Sequence, residues 1–166
     1  MFITIVLLPI STVSAAYSSL SLFCERSSKP APADEIQGDV IHGNKILFAA
    51  KRYREVDISS ALSKDNYVEE GSLLFLPLFH DVKFTVEVDS FTHDKSSLAM
   101  RGRLIDSANG FFFLSKRDGK ILASIEIPAQ KREFSVIYVP ALESHIVLEV
   151  DIDRKDVLPE GPVIIP

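Results

Sequence analysis

Phe111-Phe112-Phe113-Leu114-Ser115 and Lys120-Ile121-Leu122-Ala123-Ser124-Ile125-Glu126-Ile127 stand on either side of Lys116-Arg117-Asp118-Gly119. Asp-Gly supplies the positive φ that a tight turn between paired strands needs, because glycine has no Cβ to clash and aspartate tolerates the left-handed region. Two apolar runs joined by such a turn read as a β-hairpin. Asn109-Gly110 marks a second turn just before it.

The period on both sides of this hairpin is two. Lys83-Phe84-Thr85-Val86-Glu87-Val88-Asp89 puts Phe84, Val86 and Val88 on one face and Lys83, Thr85, Glu87 and Asp89 on the other, the mark of a half-buried antiparallel strand. Arg132–Val139 repeats this with Phe134, Val136 and Tyr138, and Ser144–Asp151 with Ile146, Leu148 and Val150. Leu98–Ile105 fits a strand with Gly102 at a bulge or close crossing. Lys45–Ala50 and Lys51–Ile58 add one or two strands, Asp57–Leu62 suggests a helical turn capped by Asp57, and Ser72–Phe79 is an apolar run that Pro77 assigns to an edge or a strand end. No long segment has helical spacing. Strands recurring about every ten residues with turn residues between predict one all-β domain, an antiparallel β-sandwich or a partly open barrel.

The chain has 166 residues, 46% of them hydrophobic and 25% charged, enough for one domain with a core of its own. A net charge of −5 gives no electrostatic reason to expect nucleic acid or an anionic membrane as partner. The single cysteine, Cys24, excludes an intramolecular disulfide. Phe2–Ile10 is a short apolar run followed by Ser11-Thr12-Val13-Ser14-Ala15-Ala16, whose small residues suit signal peptidase, although no Lys or Arg precedes the run. The expected layout is a signal peptide over 1–16, a flexible linker over 17–37 rich in Pro, Ala and Ser, the β domain over 38–153 and an extended tail over 154–166. That layout implies a secreted or periplasmic protein with no stable membrane insertion after cleavage; an uncleaved N-terminal anchor is the alternative.

Candidate chemistry is sparse. His42, His80, His93 and His145 show no metal-ligand spacing, and there is no His-Glu-x-x-His motif. His80-Asp81 and His93-Asp94 are adjacent pairs in turn-like stretches, read as solvated residues unless the fold brings them together. Glu149, Asp151 and Asp153 alternate as calcium ligands do but lack the glycine and distal glutamate of an EF-hand, so they read as a solvated face. Lys51-Arg52-Tyr53-Arg54 is a weak basic cluster. No serine lies in Gly-x-Ser-x-Gly. The reading is a non-catalytic domain without cofactor or metal. Phe111, Phe112 and Phe113 read most simply as core plus one exposed ring, and form a partner surface if more than one ring is exposed.

The order of short motifs resembles the propeptides that precede bacterial reprolysin-like zinc metalloproteases. Leu76-Pro77-Leu78-Phe79-His80-Asp81-Val82-Lys83-Phe84-Thr85 is similar to their L-x-L-F-x-D-V-x-F-T strand. Gly102-Arg103-Leu104, Gly110–Ser115 and Asp118–Ile125 resemble the core that follows, and His145–Asp151 with Leu158-Pro159-Glu160-Gly161-Pro162 resembles the stretch leading into the mature enzyme. The likeness runs from Lys45 to Pro166. It implies a domain that assists folding of a zinc metalloprotease catalytic domain or inhibits it, with the apolar end Val163, Ile164 and Ile165 available to lie in a protease cleft by strand addition. Cys24 lies in no motif comparable to a zinc-blocking cysteine, so the resemblance does not extend to that mode of inhibition. The competing reading is a free-standing extracellular module that binds a glycan or a surface protein. A third, an enzyme using His80, Asp81 and His93, requires those groups to converge.

Overall fold

The computed structural model describes residues 20–24, 35–43, 45–59, 62 and 68–154. The expected signal over 1–16 and the residues of the tail beyond 154, Val163, Ile164 and Ile165 among them, lie outside the described residues. Thirteen strands run in chain order: β1 Leu20–Ser21, β2 Phe23–Cys24, β3 Ile36–Gln37, β4 Val40–His42, β5 Lys45–Phe48, β6 Ala50–Ile58, β7 Leu73–Phe79, β8 Val82–His93, β9 Ser97–Leu104, β10 Phe111–Arg117, β11 Lys120–Ile127, β12 Arg132–Val139 and β13 Ser144–Val150. Only short 3₁₀ turns interrupt them among the described residues. The domain is all-β, as the alternation requires.

Eleven strands form one sheet, in the order β1-β7-β8-β9-β10-β11-β12-β13-β6-β2, with β3 paired to β6 as well. From β7 to β13 each strand pairs antiparallel with the next, because the connections are tight. Asp118 and Gly119, both at positive φ, make the two-residue turn between β10 and β11. The sheet curls into a half-barrel, and alternate residues fill its concave side: Leu76, Phe84, Val86, Met100, Leu114, Ile125 and Phe134 belong to one buried cluster. Of the two architectures left open by the sequence, the partly open barrel is the one formed.

Its two edges are tied by the N-terminal stretch. Leu20–Ser21 pairs parallel with Leu74–Phe75, and Phe23–Cys24 pairs antiparallel with Asp57–Ile58. Leu22 between them donates its N–H to the Phe75 carbonyl and accepts the Ser59 N–H, both at 3.0 Å. Leu22 and Phe23 are buried in the main core. The flexible linker read over 17–37 is therefore corrected at Leu20–Cys24 and at Ile36–Gln37, which are strands, and the sheet is mixed rather than purely antiparallel. Proline, serine and charge are concentrated in 27–34, whereas Leu22 and Phe23 are buried core residues and Leu20 packs against them. Asp57 itself lies in β6, paired with Cys24, and a 3₁₀ turn follows at Leu62, whose N–H donates to the Ser59 carbonyl at 3.3 Å; positions 60 and 61, where a cap by Asp57 would be made, lie outside the described residues.

A second, smaller layer lies on the convex side. The β4–β5 hairpin packs Val40, Leu47 and Phe48 onto the outward residues of β12, β13 and β6, namely Ile137, Val139, Ile146, Leu148 and Tyr53. Strand β13 is thus buried on both faces, which explains why Val147 is apolar where a solvated strand would alternate.

Candidate functional site

Outside the cover hairpin, the convex face of β9, β10 and β11 is open. Register fixes its rows: Arg103, Phe111 and Glu126 lie side by side, then Arg101, Phe113 and Ser124, then Ala99, Ser115 and Leu122. Phe111, Phe113 and Leu122 are 58%, 38% and 55% exposed, whereas Phe112 between the two rings is 2% exposed and belongs to the core. Phe112 is accordingly removed from the partner surface read from the sequence, for the simple reason that adjacent strand residues face opposite ways.

A shallow cleft of about 330 Å³ opens beside these rings, lined by Asp89, Ser90, Arg101 and Gly102 on one side and by Ser124 and Glu126 on the other. Two backbone features shape it. The β8–β9 register shifts between Val88 and Ser90, a bulge that turns Asp89 and Ser90 toward the cleft. Opposite the bulge, a Cβ on Gly102 would lie 2.4 Å from the Glu87 carbonyl oxygen and 2.5 Å from Val86 Cγ1, so the strands approach there only because residue 102 is glycine. Arg103 is held by Glu87 at 2.9 Å and Asp89 at 2.8 Å. Arg101 makes no ion pair among the described residues.

The charged residues singled out from the sequence have a different place. Arg52 and Arg54 point inward at the seam between β6 and β7. Arg54 donates to the Leu78 carbonyl at 2.6 Å and to that of Pro77. Arg52 donates to Glu149, Glu35 and Asp81 at 2.7, 2.8 and 2.8 Å and lies over the Phe79 ring. Arg132 takes the second oxygen of Glu149 at 3.0 Å and covers Phe134. Glu149 is therefore a buried ion-pair partner, which corrects its reading as part of a solvated acidic face. Burial pushes its carboxyl up, but Arg132 and Arg52 together outweigh burial and hold it below the usual range. The carboxylates and burial act on Arg52 in opposite senses, and the net effect raises its affinity for its proton.

His80 Nδ1 meets Glu35 at 3.0 Å and Asp81 at 3.9 Å, and these three groups come within 4.8 Å of one another, the separation a metal ion would need. The Arg52 guanidinium already bridges both carboxylates, filling with positive charge the side on which a cation would gain most. His93 is at the far end of the twelve-residue β8, roughly 35 Å of strand away, stacked on Phe91. The His80–Asp81–His93 constellation does not form. Asp94 instead caps the β8–β9 turn, where the N–H of Ser96 and the hydroxyl and N–H of Ser97 lower its carboxyl to about 2. His145 is half-buried: its Nε2 accepts the Ile121 N–H at 3.0 Å, just where the β11–β12 ladder ends. Burial lowers its pKa, with Asp57 acting weakly against it.

No family model matches the chain, and no curated protein matches it. Among solved structures, one described as "Structure of a chaperone-substrate complex" is similar at 12% identity and a TM-score of 0.46, over 66% of this chain and 88% of that one.

Proposed function

We propose that the chain is a non-catalytic protein-binding domain of the propeptide kind its motifs resemble, exported and acting on a zinc metalloprotease catalytic domain. The observation that carries the binding role is the exposure of Phe111, Phe113 and Leu122 together on one open sheet face beside a cleft. Three large apolar side chains contiguous on a solvent face mark a contact surface more often than a chance of composition. Rigid strands hold both rings at fixed spacing, so little side-chain freedom is lost on binding. The protease as partner, and export as its route, rest on the motif resemblance and the apolar N-terminus.

The test is to refold the zinc metalloprotease domain encoded with or beside this chain, with and without the chain, and to follow peptidase activity. Higher folding yield or reversible inhibition is expected, reduced by Phe111→Ser and Phe113→Ser together. Identical yield and activity in both samples would remove the propeptide reading. A second reading, a glycan-binding module, is favoured by one specific feature: Asp89, Arg101 and Glu126 surround the rings as hydrogen-bonding groups for sugar hydroxyls. Retention on immobilised polysaccharide would support it.

A further inference from the structure

The open face is self-complementary in charge. Basic residues lie along β9 (Arg101 and Arg103), aromatic rings along β10, and an acidic residue, Glu126, on β11. Turn a second copy over by a two-fold axis running along β10, and β9 of each copy falls across from β11 of the other. Phe111 then meets Phe111 and Phe113 meets Phe113. Arg103 faces Glu126 of the other copy, and Arg101, without an ion pair of its own among the described residues, lies diagonal to that same carboxylate, within reach of a long side chain. In the next row Leu122 faces Ala99, a large side chain against a small one. The alternative axis, across the strands, would set the arginines against each other.

We propose that this face joins two copies of the chain in an isologous dimer, sheet against sheet. This rests on the reading of the face as a binding surface and not on the identity of any protease. Two-fold symmetry makes each favourable contact occur twice, so a patch of modest size gains from pairing with itself. The face is convex, which confines contact to the three central strands, and Arg117, exposed at the end of β10, falls near its own copy and limits the contact there. The association therefore sits at the small end of specific interfaces.

Symmetry supplies the test. Arg101→Glu alone sets two carboxylates against each other across the axis, and Glu126→Lys alone sets lysine against arginine. Each variant by itself is expected to dimerise at least about tenfold more weakly than the wild type in sedimentation equilibrium. An equimolar mixture of the two restores the opposite-charge contacts of position 101 while one Arg103 still faces the lysine introduced at position 126, so it is expected to dimerise more tightly than either variant alone and more weakly than the wild type. Partial restoration on mixing also shows that both variants are folded. A wild-type chain that stays monomeric over a wide range of concentration overturns the proposal, as does a dimer indifferent to both substitutions. Neither result bears on protease folding, which is read separately by peptidase activity.

Discussion

Gly102 and Glu149 each have one neighbour set that admits no substitute. At Gly102 the absent Cβ is what lets β8 and β9 stay paired through the Asp89 bulge. Gly102→Ala forces the Glu87 backbone or the Val86 side chain aside, in a core already filled, and is expected to cost about 2 kcal/mol in urea unfolding. An equal or greater stability than wild type would mean that the strands separate there without penalty. Glu149 is the only carboxylate among the described residues that Arg52 and Arg132 share. Glu149→Ala leaves Arg132 without an ion pair among the described residues while Arg52 keeps Glu35 and Asp81. Removing one partner of a buried pair is worth about 3 kcal/mol. Glu149→Gln, which retains the shape and an oxygen acceptor, is expected to lose less than Glu149→Ala; equal losses would assign the effect to packing instead of charge.

At the scale of elements, the seam between β6 and β7 is the place where the barrel depends on a short stretch. Leu22 is fully enclosed there, between the Phe75 and Ser59 backbones. Leu22→Ala is expected to destabilise the domain by about 3 kcal/mol and to speed amide exchange first at residues 22 and 59, whose N–H groups make the two bonds; uniform exchange along the sheet would show that the stretch is no local clasp. The long strands were legible in the sequence because each buries one face only, and Asp118-Gly119 declared its own hairpin. The joins β11–β12 and β12–β13 were not. They are built alike, Pro128-Ala129-Gln130 and Pro140-Ala141-Leu142 forming 3₁₀ turns that end in left-handed Lys131 and Glu143. Their only signal is a proline after a strand, since lysine and glutamate do not announce positive φ. Lys131→Gly removes the Cβ that disfavours that conformation and is expected to raise stability by about 0.5 kcal/mol in urea unfolding, the gain being reduced by the greater freedom of glycine in the unfolded chain. The candidate face was half legible: three consecutive phenylalanines in a strand set the middle ring opposite the other two, but the simplest reading of the run is core plus one exposed ring, and that Phe111 and Phe113 are the outward pair, like the contribution of Arg101, Glu126 and Leu122, follows from tertiary register, which no local pattern contains. The ion-pair network was hidden for the same reason, its directly bonded partners lying up to 97 residues apart.

The whole molecule should lose stability in acid in two stages, because the displaced titrations of its imidazole and carboxyl groups all have the same sign. His145 holds a neutral ring whose Nε2 accepts from Ile121, and burial keeps its folded pKa below the ordinary 6.5. Between those two values the unfolded chain binds more protons than the folded one, so stability rises with pH through that window. This contribution is complete above about 6.5 and disappears as pH falls toward the folded value. Glu149, whose ordinary value is 4.5, is held lower in the fold by its arginines, so its contribution is present above 4.5 and lost on further acidification. Glu35, Asp81 and Asp94 shift in the same direction and deepen this second stage. His145 opens β13 and Glu149 lies near its close, so these two groups report opposite ends of that strand. Unfolding free energy measured in urea as a function of pH should show a first decline below the imidazole value and a steeper one in the carboxylate range. In His145→Gln, whose amide oxygen can still accept from Ile121 but carries no titrating group, the first decline should vanish and the second remain. A wild-type curve that is flat down to the carboxylate range would mean that the Ile121–His145 contact does not survive in solution, and that the end of the β11–β12 ladder is closed by something other than the imidazole.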